Sequence, residues 1–261
     1  MKYTLFAGCS FTHGNGFKLE TAEPCLWVNQ LYNKFFSHTK QLNVSKGGRS
    51  NAGIFQDTVK ALLTYPVEYA VVEWTSMPRY ELDLGFETFS TRQWFMPNGI
   101  LPSHTLHDVS YSSAYLTSIC ERFTTLAHDY YEISNLIEYV NILVNLTQLT
   151  KTKIFFVNGI CPWDNDFFIK KETGLPSEYT MYTQKILSTE TRSDKNIYQL
   201  YNIMHDNFTN QGGVHESLWL NLYSSMFSNR IDVNSDTTHP GINSNNLYFD
   251  LFSKALNKQL L

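Results

Sequence analysis

Short apolar runs alternate with stretches of helical period along much of the chain. YTLFAG (3–8) reads as a first strand, and PCLWVNQLYNKFF (24–36) as a helix whose Leu26, Leu31 and Phe35 share roughly one face. QLNVSKGG (41–48) predicts a second strand running into glycines, NAGIFQDTVKALL (51–63) a helix, and EYAVVEWTS (68–76) a third strand. KIFFVNG (153–159) is apolar without alternation, as expected where both sheet faces are covered. The final helix spans 243–260, with Asn243 or Ser244 as the cap whose side chain meets the first free amides.

This β-α-β-α-β rhythm predicts a parallel sheet with helices on both faces. In such sheets sites gather beyond the carboxyl ends of the strands. Three runs end that way in small or polar residues: GCSFTHG, SKGGRSN and EWTSMPR. Between 78 and 112 the periodicity is lost, the mark of a lid or insertion. A long helical region follows at about 113–150, broken near HDYYE, and a second irregular segment covers about 160–195. Without internal repeats or a low-complexity linker, the expectation is one domain over 1–261 with insertions at about 78–112 and 160–195.

Composition narrows the function classes. Hydrophobic content is 43% and charged content 17%, the balance of an ordinary globular protein. The net charge of −4 and the lack of any Lys/Arg run argue against nucleic acid, whose binding requires neutralised phosphates. The high aromatic content, 15%, fits either core packing or rings lining a sugar groove. Cys9, Cys25, Cys120 and Cys161 lie far apart with no zinc spacing, which reads as free thiols in a reducing compartment. The apolar stretch at the N-terminus is too short for a signal-peptide core, and no later stretch could span a bilayer. The expected location is therefore cytoplasmic, without membrane insertion, and the sequons at Asn43, Asn145 and Asn207 are read as chance matches.

Ser10 stands at a strand end leading into a helix, near partial positive charge. A serine hydroxyl is a weak nucleophile until a base removes its proton, and the base needs an orienting partner. Near the C-terminus DTTHPG sets Asp236 three residues before His239. On a tight loop that spacing lets the carboxylate reach the imidazole nitrogen facing away from the serine, fixing the tautomer. Taken alone, DTTHPG reads more readily as an ordinary turn before a helix, with Asp236 bonding the local backbone.

FAGCSFTHG resembles the first block of the SGNH (GDSL-type) hydrolases, whose serine follows the first strand in a Gly-x-Ser context. NVSKGG resembles their second block, where a glycine amide joins the oxyanion hole, and DTTHP resembles their terminal Asp-x-x-His block. The matches are short and cover the sheet core rather than the insertions. The resemblance implies a flavodoxin-like three-layer α/β/α fold and esterase or lipase chemistry, with no metal and no cofactor. It makes Ser10 the nucleophile, His239 the base and Asp236 its orienting acid, with the amides of Ser10 and Gly48 as oxyanion donors. Two positions depart from the pattern. Cys9 replaces the usual acid before the serine and is read as a small buried filler. Met77 falls where the third block carries an asparagine donor, and methionine has no N–H to give. Thr75, Ser76, Asn51 and Arg79 are the candidates to replace it.

Other motifs carry less. GCSFTHG lacks the lysine and spacing of a phosphate loop. DVNSDTTHPGIN offers Asp232, Asn234 and Asp236 to a calcium ion but has Thr237 and Asn243 where a calcium loop needs glycine and a bidentate acid. His104 and His107 have only Asp108 nearby and read as a solvated pair. Trp27 and Trp219 sit in helical patterns and read as core; Trp74, Trp94 and Trp163 are open between pocket wall and packing, as is His13 between pocket and loop surface. The leading expectation is an esterase acting on a small acyl group, most simply acetyl on a carbohydrate. The alternative is a catalytically weak or silent domain of the same fold serving as a binding or assembly module. Nothing in the sequence fixes an oligomeric state.

Overall fold

Four parallel strands form the centre of the computed structural model, in the order β2-β1-β3-β7. The residues described are 1–14, 23–75, 80–83, 92–96, 99–100, 129–159, 218–221, 226, 229–233 and 239–260, with 80–83, 92–96, 99–100 and 129–134 described by their backbone. Strand β1 (Tyr3–Ala7) pairs with β2 (Lys40–Asn43) on one side and with β3 (Val67–Trp74) on the other. Strand β7 (Lys153–Asn158) lies beyond β3, with Glu73 opposite Val157. A bridge from Phe156 to Trp219 continues the sheet past β7. This is the flavodoxin-like order, whose switch point lies between β1 and β3.

Parallel neighbours need crossover connections, and helices supply them. Helix α1 (Ser10–His13) and helix α2 (Trp27–Leu31) lie between β1 and β2, and α3 (Asn51–Thr64) between β2 and β3. Helix α4 (Asp129–Thr150) precedes β7, and α5 (Ile242–Leu260) closes the chain. Helices α2 and α5 pack together, Trp27 edge-on to Phe252 at 5.1 Å, while α3 meets α4 with Phe55 stacked on Tyr139 at 4.5 Å. The result is a three-layer α/β/α fold. Ala70 through Trp74 are all fully buried, as the unbroken apolar run of β3 requires apart from one residue, Glu73. No helix among the described residues is long and apolar enough to cross a membrane.

Three local readings change. The segment 24–36 is not one α-helix: a 3-10 turn (Glu23–Cys25) precedes α2, and a π turn (Tyr32–Phe36) follows it. Wider π winding puts residues five apart on one side, so Phe36 joins Leu31 in the core and Phe35 is left half-exposed. The aperiodic segment 78–112 contains a small antiparallel sheet of β4 (Tyr80–Asp83), β5 (Arg92–Met96) and β6 (Gly99–Ile100). Strands of two to five residues are too short for alternation to register. Trp219 is core as expected, tilted against Phe156 at 5.4 Å, but it sits in the bridge to β7 rather than on a helix. The segments about 113–128 and 160–195 lie outside the described residues.

Helix α5 is capped from a distance. Neither Asn243 nor Ser244 is its cap; both lie in the first turn, and the Asp232 carboxylate accepts from Asn243 N–H (2.9 Å), Ser244 N–H (2.7 Å) and the Ser244 hydroxyl. Burial works to raise the Asp232 pKa, but the hydrogen bonds from Ser244 and Asn243 outweigh it and hold the carboxyl below its ordinary value. A depressed carboxylate stabilises the fold above its unfolded pKa, and that contribution fades as pH falls through the lower, folded value. Asp232→Ala is therefore expected to cost about 1 kcal/mol at neutral pH. Urea midpoints should show the gap from wild type closing as pH falls below the ordinary carboxylate range.

Candidate active site

Strand β1 delivers Gly8 and Cys9 to the carboxyl edge of the sheet, and the chain turns at once into the four-residue helix α1, with Ser10 its first residue. The turn is held from β3. Glu73 accepts hydrogen bonds from Cys9 N–H (2.7 Å), the Thr12 hydroxyl (2.8 Å) and the Cys9 thiol (3.1 Å). Cys9 is fully buried, and the Ser10 hydroxyl lies 3.9 Å from its sulfur.

The β2–β1 pairing continues into the next loop, where Val44 N–H donates to Phe6 O and Lys46 N–H to Gly8 O. That loop turns at Gly48 with φ 85°, a left-handed conformation that favours glycine. Arg49 follows, buried, with Nε and Nη2 on Asp57 Oδ2 at 2.7 and 2.5 Å. Ser50 then caps α3 by accepting from Gly53 N–H at 3.1 Å. Past the last residue of β3, no described strand pairs with Thr75 on this side. The Asn51 side chain takes that place, accepting from Thr75 N–H (2.8 Å) and donating to Thr75 O (3.1 Å). Asn221 does the same at the end of β7, on both backbone groups of Asn158 at 2.8 Å.

The C-terminal block arrives beside the first turn. The His239 ring meets Phe11, the residue after Ser10, edge-on at 6.0 Å. Phe11 is fixed in turn by Trp27, whose indole N–H donates to Phe11 O, while Trp27 N–H donates to Asn245 Oδ1 of α5, both at 3.2 Å. Ser10 and Asn51, the first residues of α1 and α3, thus stand with Gly48, Thr75 and His239 where the chain leaves β1, β2 and β3 and approaches α5.

The remaining candidates divide. His13 is exposed on α1, and Trp74 is fully buried, stacked on Phe156 at 6.0 Å, which makes it packing and not a pocket wall. Trp94 lies in β5 by its backbone. Asp236, Ser76, Met77, Arg79 and Trp163 lie outside the described residues. The Asp232 carboxylate of the calcium-like stretch is taken up by α5. Reading the sequence for nucleophile, base and acid passes over Glu73. The signal was a single carboxylate inside the otherwise apolar run AVVEW.

No family model matches the chain, and no curated protein matches its sequence. Solved structures do match. The crystal structure of TesA aligns over 99% of this chain and 99% of its own at a TM-score of 0.51 and 11% identity. The psychrotrophic esterase EstA from Pseudoalteromonas sp. aligns over 100% and 99% at 0.47 and 12%. A G-D-S-L family lipolytic protein from Veillonella parvula aligns over 99% and 97% at 0.42 and 12%. The likeness is one of fold: the chain shares its three-layer α/β/α architecture with TesA.

Proposed function

We propose that this protein is a serine esterase of the SGNH type that removes a small acyl group, acetyl in the simplest case, from a carbohydrate ester. The observation that carries the reading is the contact between Phe11, beside Ser10, and His239, since it unites the two ends of the chain that bear nucleophile and base. In this mechanism His239 takes the Ser10 proton as the hydroxyl attacks the ester carbonyl, and Asp236 orients the imidazole. The imidazolium then protonates the leaving sugar oxygen. Water, activated by His239, releases the acid from the acyl-enzyme and restores the serine. The amides of Ser10, at the start of α1, and Gly48 are the oxyanion donors.

Asn51 and the Thr75 amide are engaged with each other, which favours Ser76 or Arg79 as the replacement third donor. A hole short of one donor is slower by about 10²–10³-fold. Support for a sugar comes from the Tyr-, Asn- and Trp-bearing insertions at about 78–112 and 160–195, within what we take as one domain, with Trp94 and Trp163 as candidate wall residues. Cys9 and Cys25 are thiols outside any disulfide, in keeping with a reducing compartment.

The test is a panel of acetylated sugars and short and long acyl esters. Turnover of acetyl and other short esters above long ones is the expected result. A second reading, a silent binding or assembly module, is favoured by Met77 in the third block. Absence of turnover on every ester, with no labelling of Ser10 by a fluorophosphonate, would establish it over the esterase.

A further inference from the structure

We propose that Glu73 is the positioning residue of the nucleophile turn, an inference that rests on the esterase reading. Glu73 sits on the central strand β3 at the carboxyl edge, fully buried, in a layer otherwise occupied by Val71, Val72 and Trp74. An apolar side chain would fill that volume without the cost of burying a carboxylate. The carboxylate instead grips the turn on both sides of Ser10: Oε2 holds Cys9 N–H before it and the Thr12 hydroxyl after it, and Oε1 holds the Cys9 thiol.

Two glycines shape the slot. A Cβ on Gly8 would collide with Glu73 Oε2 and stand 2.5 Å from Thr12 Oγ1. A Cβ on Gly159, just past β7, would collide with Oε1 and stand 2.6 Å from Cδ. The sheet therefore leaves room for a carboxylate at the tops of three adjacent strands, β1, β3 and β7.

The need for such a clamp follows from the size of α1. Four residues make one helical turn, and a single turn is unfavourable on its own because it fixes several dihedrals for one or two hydrogen bonds. Its backbone bonds are His13 N–H to Cys9 O and Gly14 N–H to Ser10 O, both 2.9 Å. The direction of the Ser10 hydroxyl must then come from tertiary contacts, and Glu73 supplies three of them. Glu73 acts through the turn, by its hold on Cys9 and Thr12.

The experiment measures the rate of Ser10 labelling by a fluorophosphonate, read by intact mass and peptide mapping, beside kcat and KM on an acetyl ester. Glu73→Gln keeps the shape of the side chain and should melt close to wild type, with labelling and kcat about tenfold slower and KM unchanged. Thr12→Val removes one grip and should slow labelling about threefold. Gly159→Ala displaces the carboxylate without touching the turn. It should slow labelling in the wild-type background and add nothing in Glu73→Ala, the non-additivity expected of groups acting through one contact.

Wild-type labelling rates in folded Glu73→Gln and Thr12→Val would overturn the inference while leaving the esterase reading in place. Failure of wild type to label at Ser10 would overturn that reading and the inference with it.

Discussion

Ser10→Ala should lower ester turnover by about 10³-fold or more while leaving the melting temperature near that of wild type. The two halves of this expectation have separate causes. Turnover collapses because the proposed acyl-enzyme forms on the Ser10 hydroxyl; what remains is whatever oxyanion binding gives to a direct attack by water. Stability is spared because the hydroxyl makes only a long approach, 3.9 Å, to the Cys9 sulfur, and its loss opens no cavity of consequence. His239→Ala should show a loss of similar size, and the double variant should be hardly worse than either single one, since the pair acts as a unit. Initial rates on an acetyl ester with all three variants check this. Rates within twofold of wild type for Ser10→Ala would end the proposed mechanism.

Strands β1, β3 and β7 were legible because they are buried on both faces and so announce themselves as apolar runs without alternation. Leu5–Ala7, Ala70–Val72 and Ile154–Val157 are all buried, and each run was visible in the sequence. The loops after β1 and β2 could be read from glycine and serine chemistry, Gly48 included, because a positive φ demands a particular residue type.

What escaped depends on contacts distant in sequence. Asp232 caps α5 from outside the helix, so the local cap signal at Asn243 and Ser244 pointed one turn too late. The π turn after Leu31 follows from Phe36 reaching Phe6 and Tyr69 across the sheet layer, which no local propensity encodes. Trp74 could not be sorted between wall and core by position alone, because its ring lies under Phe156, far along the chain. Glu73 is the instructive case. Its charge broke the apolar period, and a break in an otherwise consistent pattern marks strain or function.

Asp57→Ala should be among the most destabilising single substitutions on the described surface of α3, by about 3–5 kcal/mol. Arg49 is 4% exposed, and its guanidinium holds Asp57 Oδ2 through both Nε and Nη2. Removing the carboxylate takes from a buried cation an anion that it holds through two nitrogens, a larger penalty than the pair's own net worth. Lys46, 3.7 Å from the same oxygen with its side chain 62% exposed, adds little, as exposed pairs do. The expected drop in melting temperature is about 10 °C. Replacing both charges, as in Arg49→Met with Asp57→Leu, should recover most of it, because two apolar groups need no desolvation of charge. The functional consequence follows from position. Arg49 lies between Gly48 and the Ser50 cap of α3, so a loosened guanidinium releases the backbone that presents the Gly48 amide. Ester turnover by Asp57→Ala, measured well below its melting temperature, should therefore fall through kcat more than through KM. A urea midpoint equal to that of wild type would show that the ion pair does not hold this loop.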